Sequence, residues 1–353
     1  MNRDYRNRFG QMIILGLDLE ELNEEVVSLI RDYKIGGVII YKKSYHTVDD
    51  MITYINRLKK INESNIPLFI AIDQENGRVN RFPPEIKRMA SALKIAKGKN
   101  LEMGLKSYEI TASLLSSIRV NMNFAPVLDI NRGSDDSIIG DRGYGNSYQE
   151  VVKYGLPFMK KLTDKGIISV VKHFPGHGLS NVNSHYAIPK INEIDLMEKE
   201  DLQVFGRAID DGCEALMVGH LRVKGCGFKP ATINRFIIHK YLIDRYNYQG
   251  LIITDDLRMN LLRTIYGMKR VIKYSIMAGN NLLVIKYHKG DTKLYDKIFK
   301  MIESGEIKRE LIDDSYNKIR LIKEKYGISN EMVDNKIDIL EVNRMIDELS
   351  KIK

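Results

Sequence analysis

Cysteine is nearly absent from this chain of 353 residues; only Cys213 and Cys226 occur. Two thiols with neither metal nor redox spacing exclude a disulfide framework and read as reduced side chains. Long apolar runs are missing too. None reaches the roughly 18 residues that a membrane span requires, so no membrane partner is expected. The start, Met1-Asn2-Arg3-Asp4-Tyr5-Arg6, carries charge with no apolar stretch behind it. It does not read as an export signal, and a cytoplasmic location is expected. No Pro/Gly/Ser linker or shift in composition divides residues 1–353, which points to a single domain. A Gly-x-Ser-x-Gly elbow, a Walker loop and a cysteine near a histidine are also lacking.

Acidic residues are outnumbered, and the net charge is +9. Yet the basic residues are spread along the chain, with no arginine-rich block and no interleaved aromatics. A nucleic-acid partner is therefore not expected. The highly charged tail, residues 308–353, holds Ile312, Tyr316, Ile319 and Ile322 at helical spacing. It reads as amphipathic helices, near 306–324 and 334–351, packed on a core.

Short apolar runs are abundant. They are Met12–Leu15, Gly37–Tyr41, Leu68–Ile72, Met122–Ala125, Ile168–Val171, Ala215–Val218, Leu251–Ile253 and Leu282–Ile285. Continuous runs of this length fit strands buried on both faces. Helical patterns separate them, near 19–33, 47–62, 98–118, 148–164, 195–211, 235–246 and 268–278. Alternation of this kind predicts an α/β fold, a (β/α)8 TIM-type barrel, with the extra C-terminal helices bracing its outside. A doubly wound open sheet would want a Gly-rich phosphate turn after the first run, and none is there.

Barrels of this type place their sites at the C-terminal ends of the strands. The residues just past five consecutive runs are polar. Asp73-Gln74-Glu75-Asn76-Gly77-Arg78 follows the third run and Asp129 the fourth, with Asp141-Arg142 further on. Lys172-His173 follows the fifth, His220 the sixth and Thr254-Asp255-Asp256 the seventh. The first two runs end quietly.

Carboxylates mixed with cations suit a polyhydroxylated substrate. A carboxylate can attack an anomeric carbon while another group protonates the leaving oxygen. Asp255 is the candidate nucleophile; helix N-capping is the alternative reading of its position. His173, His177 and His185 lack the regular spacing of a metal site, and no metal or cofactor is expected. His177 reads as a structural group bonding across a tight loop. His185 sits in a stretch without apolar periodicity, has no core to fill, and suits acid/base work near neutral pH.

These residues carry a resemblance. Residues 9–285 resemble the family 3 glycoside hydrolases, in particular the single-domain bacterial β-N-acetylglucosaminidases of peptidoglycan recycling. The markers are Asp73–Val79, Asn123–Asp129, Ile139–Arg142 and Lys172–Gly178, then Gly219-His220, Pro230-Ala231-Thr232 and Thr254–Met259. The resemblance implies a retaining mechanism with a covalent glycosyl-enzyme intermediate and no cofactor. It puts Asp255 at the nucleophile and His185 at the acid/base. Asp73, Arg81, Arg142, Lys172 and His173 match positions that grip a terminal N-acetylglucosamine, so the expected partner is a small carbohydrate. Aglycone and oligomeric state stay open at this stage.

The chain departs from the family at Leu179 and Asn183, where the loop usually carries acids. Asn183 stands where an aspartate orients the histidine, and it offers a hydrogen bond without charge. In the serine protease triad the equivalent change costs about 10⁴ in rate. This motivates an alternative reading, a sugar-binding protein with weakened or lost hydrolysis. Asn281 replaces another family acid and reads as structural. Asn76 replaces a family glycine, at a position expected to need left-handed backbone, which asparagine tolerates.

Overall fold

The computed structural model describes residues 3–133, 138–180, 188–334 and 336–349. Eight parallel strands form its central sheet: β1 (Ile13–Leu17), β2 (Gly37–Ile40), β3 (Phe69–Ile72), β4 (Met122–Asn123), β5 (Ile168–Phe174), β6 (Ala215–Val218), β7 (Leu251–Thr254) and β8 (Leu283–Lys286). Each pairs with the next, and β8 returns to pair with β1 from Ile13–Leu283 to Gly16–Lys286. Closure is completed between β7 and β8. A parallel bridge joins Ile253 and Leu282, and the Thr254 N–H donates to the Leu282 carbonyl at 3.0 Å. The result is the (β/α)8 barrel that the alternation predicts.

Burial explains why these strands read as unbroken apolar runs. Every strand residue except Lys286 is buried, since the barrel interior takes one face and the helices the other. Helix starts are set locally. Asn23, Thr47, Asn100 and Ser147 each accept, through a side-chain oxygen, the backbone N–H three residues on. At Thr47 the bond is reciprocated by Asp50, a capping box.

The expected tail helices are Arg309–Lys325 and Ile339–Leu349. The first lies on the N-terminal helix, Arg3–Gln11, where Tyr5 and Arg8 both donate to Asp313. The second lies against the helix Leu101–Ser117. The helix Asp291–Glu303, which follows β8, was not anticipated. Among the described residues no helix is long and apolar enough to cross a membrane.

One strand corrects the sequence reading. The fifth run was expected to end at Val171, but β5 continues through Phe174. The Leu128 N–H donates to the Lys172 carbonyl at 2.7 Å, and the Gly219 N–H to the Phe174 carbonyl at 2.9 Å, so both neighbours hold the extension. Register shifts between Lys172 and Phe174. Strict alternation would send Lys172 and His173 to opposite faces. The irregularity lets both side chains line the barrel mouth.

Candidate active site

A cavity of about 290 Å³ opens at the C-terminal ends of the strands. Asp73, Arg81, Arg142, Lys172, His173 and Asp255 all line it, so residues far apart in sequence, from the ends of β3, β5 and β7 and the loop after β4, meet in one place. His185 and Asn183 lie outside the described residues. Segments on either side of them are anchored. Before them, the His177 N–H donates to Asp129 Oδ1 at 2.6 Å. After them, Lys190–Ile191 forms a short parallel ribbon with Arg222–Val223.

The tightest part of the wall is a carboxylate–cation cluster. Lys172 Nζ lies 2.8 Å from Asp73 Oδ1 and 2.6 Å from Glu75 Oε1. Arg142 grips Glu75 with two bonds, Nε to Oε2 at 2.7 Å and Nη2 to Oε1 at 2.9 Å. Burial pushes the Glu75 carboxyl up, but Arg142 and Lys172 outweigh it and hold it well below the usual range. Lys172 shows the mirror case: burial works against its charge, while Asp73 and Glu75 raise its pKa above the ordinary value. Both cations therefore stay charged in a buried wall. Glu75 is the residue that sequence reasoning passed over. Its signal was its spacing of two from Asp73, on the stretch leaving β3.

Gln74 staples that stretch. Fully buried, it donates to Asn76 and Asn80 at 2.9 and 2.8 Å and accepts the Arg81 N–H at 2.7 Å. Asn76 takes a φ of +71°, the left-handed geometry expected of it. The tight turn returns Arg81 to the mouth, 4.0 Å from Asp73 Oδ2. Arg78 then ties the turn to the next loop by donating to the carbonyls of Ile138 and Ile139 at 2.8 and 3.0 Å. That loop carries Arg142.

Asp129, past β4, is the second residue whose role was not anticipated. Its carboxylate is fully buried and lies 2.6 Å from His173 Nδ1. It also accepts the His177 N–H. Burial raises this carboxyl, and the charge and hydrogen bond of His173 bring it below the ordinary value. One carboxylate thus orients the His173 ring and pins the stem of the following loop. For His177 the expected cross-loop bond is made by its backbone. Its ring lines the cavity, and Nδ1 is buried without a partner among the described residues.

Asp255 follows β7 on the opposite wall. The helix beyond it starts only at Asn260, so Asp255 does not cap it. Its N–H donates to the Val218 carbonyl at 3.1 Å, and its Oδ1 accepts the Asp256 N–H at 2.8 Å. Burial raises the Asp255 carboxyl; His220 and His173, with smaller help from that N–H and Lys172, bring it below the ordinary range. His220 Nε2 lies 2.9 Å from the Asp256 carbonyl, which only accepts, so Nε2 carries a proton. His220 Nδ1 lies 2.7 Å from Thr232 Oγ1. The two markers Gly219-His220 and Pro230-Ala231-Thr232 thus converge under the Asp255 turn. Asn281 serves the backbone, accepting the Ile252 N–H at 2.9 Å and donating to Ser315 at 3.2 Å. Among the described residues, no group of three or more His, Cys, Asp or Glu side chains is placed to hold a metal ion.

The chain is similar in sequence and fold to known proteins. The family described as "Glycosyl hydrolase family 3 N terminal domain" matches residues 5–322. A beta-hexosaminidase of Tolumonas auensis is 30% identical over 276 residues, covering 76% of this chain and 81% of that protein. One from Methylobacillus flagellatus is 31% identical over 280 residues, covering 77% and 79%. The solved structure of a glycoside hydrolase family 3 beta-N-acetylglucosaminidase from Paenibacillus sp. str. FPU-7 superposes with a TM-score of 0.91 at 27% identity. It covers 98% of this chain and 68% of that one.

Proposed function

Because the chain belongs to glycosyl hydrolase family 3, we propose that this glycoside hydrolase is a retaining, exo-acting β-N-acetylglucosaminidase. Its substrates are peptidoglycan- or chitin-derived fragments with a terminal N-acetylglucosamine. The observation that carries the reading is Asp255, kept ionised on one wall of a cavity whose other wall is the Lys172–Glu75–Arg142 cluster. Hydrolase relatives named for hexosamine substrates support the choice of sugar.

In this mechanism the sugar hydroxyls are held by Asp73, Arg81, Arg142, Lys172 and His173. The Asp255 carboxylate attacks the anomeric carbon, the bond to the leaving oxygen breaks, and His185 supplies the proton that oxygen takes. A covalent glycosyl-aspartate results. His185, now neutral, takes a proton from water as the water attacks the same carbon and frees Asp255. Two inversions at one carbon give net retention. A histidine as acid/base avoids placing a second anion beside the nucleophile, and Asn183 orients it through its amide.

The test is hydrolysis of an aryl β-N-acetylglucosaminide by the parent and by Asp255→Ala. The parent should turn over and release the β-anomer first. Equal background rates for the two proteins would overturn the assignment. Adding phosphate and finding a sugar 1-phosphate in place of the free sugar would recast the enzyme as a phosphorylase.

A further inference from the structure

Just past β2 stands a residue that reads, in sequence, as the tail of a core run. Tyr41 instead lines the mouth cavity. Its ring lies over β1 at Gly16, where a Cβ would come within 3.2 Å of Tyr41 Cε2, 3.3 Å of its hydroxyl and 2.9 Å of Lys286 Cα. A strand glycine at such a spot is the mark of a close approach, and here it seats the phenol. The Lys286 ammonium stands 5.6 Å from the ring centre.

The charged groups around this phenol are Asp73, Asp256, Arg81 and Asp255. Burial, then the carboxylates, push its pKa well above the ordinary tyrosine value, so the hydroxyl keeps its proton. Among the described residues nothing accepts that proton in a hydrogen bond. Elsewhere in the mouth, Lys172 and Arg142 are held on Glu75 and Asp73. On the side where Asp73, Asp255 and Asp256 stand, carboxylates only accept. A sugar hydroxyl that donates to one of them still has lone pairs to satisfy.

We propose that Tyr41 is a substrate-binding residue whose phenol donates a hydrogen bond to the terminal-sugar hydroxyl that itself donates to Asp73. The inference rests on the reading of this cavity as the sugar subsite. It makes the site demand a hydroxyl at that ring position, because an analogue lacking it leaves the phenol without an acceptor and Asp73 short of one donor.

Tyr41→Phe removes one oxygen and keeps the ring on Gly16. We expect kcat/KM for an aryl β-N-acetylglucosaminide to fall about three- to fifteenfold, with an unchanged melting temperature. Substrates deoxygenated at C3, C4 or C6 then locate the partner. One of them should show no further loss in the variant, while the other two keep the full difference. An unchanged kcat/KM, or the same loss on all three analogues, would overturn the proposal. If the parent has no activity above Asp255→Ala, the hydrolase reading fails by itself. Calorimetric binding of N-acetylglucosamine to the parent and Tyr41→Phe then decides Tyr41: weaker binding by the variant upholds it, equal binding or none by either overturns it.

Discussion

Two buried lysines mark the two ends of this barrel. Lys172 stands at the C-terminal end of β5, and Lys323 reaches the N-terminal ends from the helix Arg309–Lys325. Lys323 donates to Gln11 Oε1 at 2.9 Å and to the carbonyls of Gly36 and Pro67 at 2.8 and 2.6 Å. Its ammonium also faces the Phe69 ring at 4.4 Å. None of these groups is anionic. Desolvation therefore prevails, and its pKa falls well below the ordinary lysine value. At Lys172, Asp73 and Glu75 reverse the same penalty. The barrel thus spends one lysine on satisfying strand-end oxygens and keeps the other as a fixed charge facing a cavity. What separates the lysine whose pKa rises from the one whose pKa falls is whether carboxylates share its burial.

The largest expected effect is at the mouth. Lys172→Met should lower kcat/KM on an aryl β-N-acetylglucosaminide by about 10²–10³, because charge-assisted bonds are lost and two carboxylates are left underpaired. A loss below tenfold would put the Lys172 charge outside substrate recognition.

The loop proposed to carry the acid/base is the next lever. Asn183→Asp should raise turnover of an unactivated disaccharide by about 10–100-fold, with little change for an activated aryl glycoside, whose leaving group needs little protonation. Equal gains on both substrates, or none, would place the limiting step elsewhere.

Lys323→Met should leave turnover within about twofold while changing how stability depends on pH. In the parent the unfolded chain binds the proton more tightly than the folded one. Stability should rise with pH by up to about 1.4 kcal/mol per unit between the depressed folded pKa and the unfolded value near 10.4. Chemical denaturation from pH 7 to 10 should show this rise in the parent and a flatter profile in the variant.

Asp201 gives the smallest effect and an intermediate case. It has a cationic partner, Arg132 at 3.0 Å, yet burial prevails and lifts its pKa to about 6. Folded protein then holds a proton that the unfolded chain has lost, so stability should fall as pH rises from about 4 to 6, by about 2–3 kcal/mol. Asp201→Asn should remove that fall, and a persisting slope would assign it to other groups.

Much of the scaffold was legible beforehand. The eight apolar runs are the eight strands, because burial on both faces leaves no room for polar alternation. The polar residues after five of them did mark the mouth. Less visible was the extension of β5, which depends on two neighbouring strands and on a register shift. The helix Asp291–Glu303 had a readable pattern in Leu294, Tyr295, Ile298 and Ile302, overlooked beside the tail helices. Tyr41 was misread because an aromatic ending an apolar run is ordinarily core. Glu75 and Asp129 were in view as residues but not as partners. Asp129 meets His173 across 44 positions of chain, and no local pattern announces that contact.

Periodicity and the chemistry of strand ends were enough to determine the barrel, its working face and the kind of substrate that face suits. These are properties of residues within a few positions of one another. Tertiary structure alone decided which charges are paired and which side chains line the cavity. Lys172 and Lys323 are the same letter in the sequence, and each ends up buried. Their opposite pKa shifts come from distances that exist only once the sheet has closed and the tail helix has crossed its floor. A desolvated charge is governed by its nearest neighbours in space.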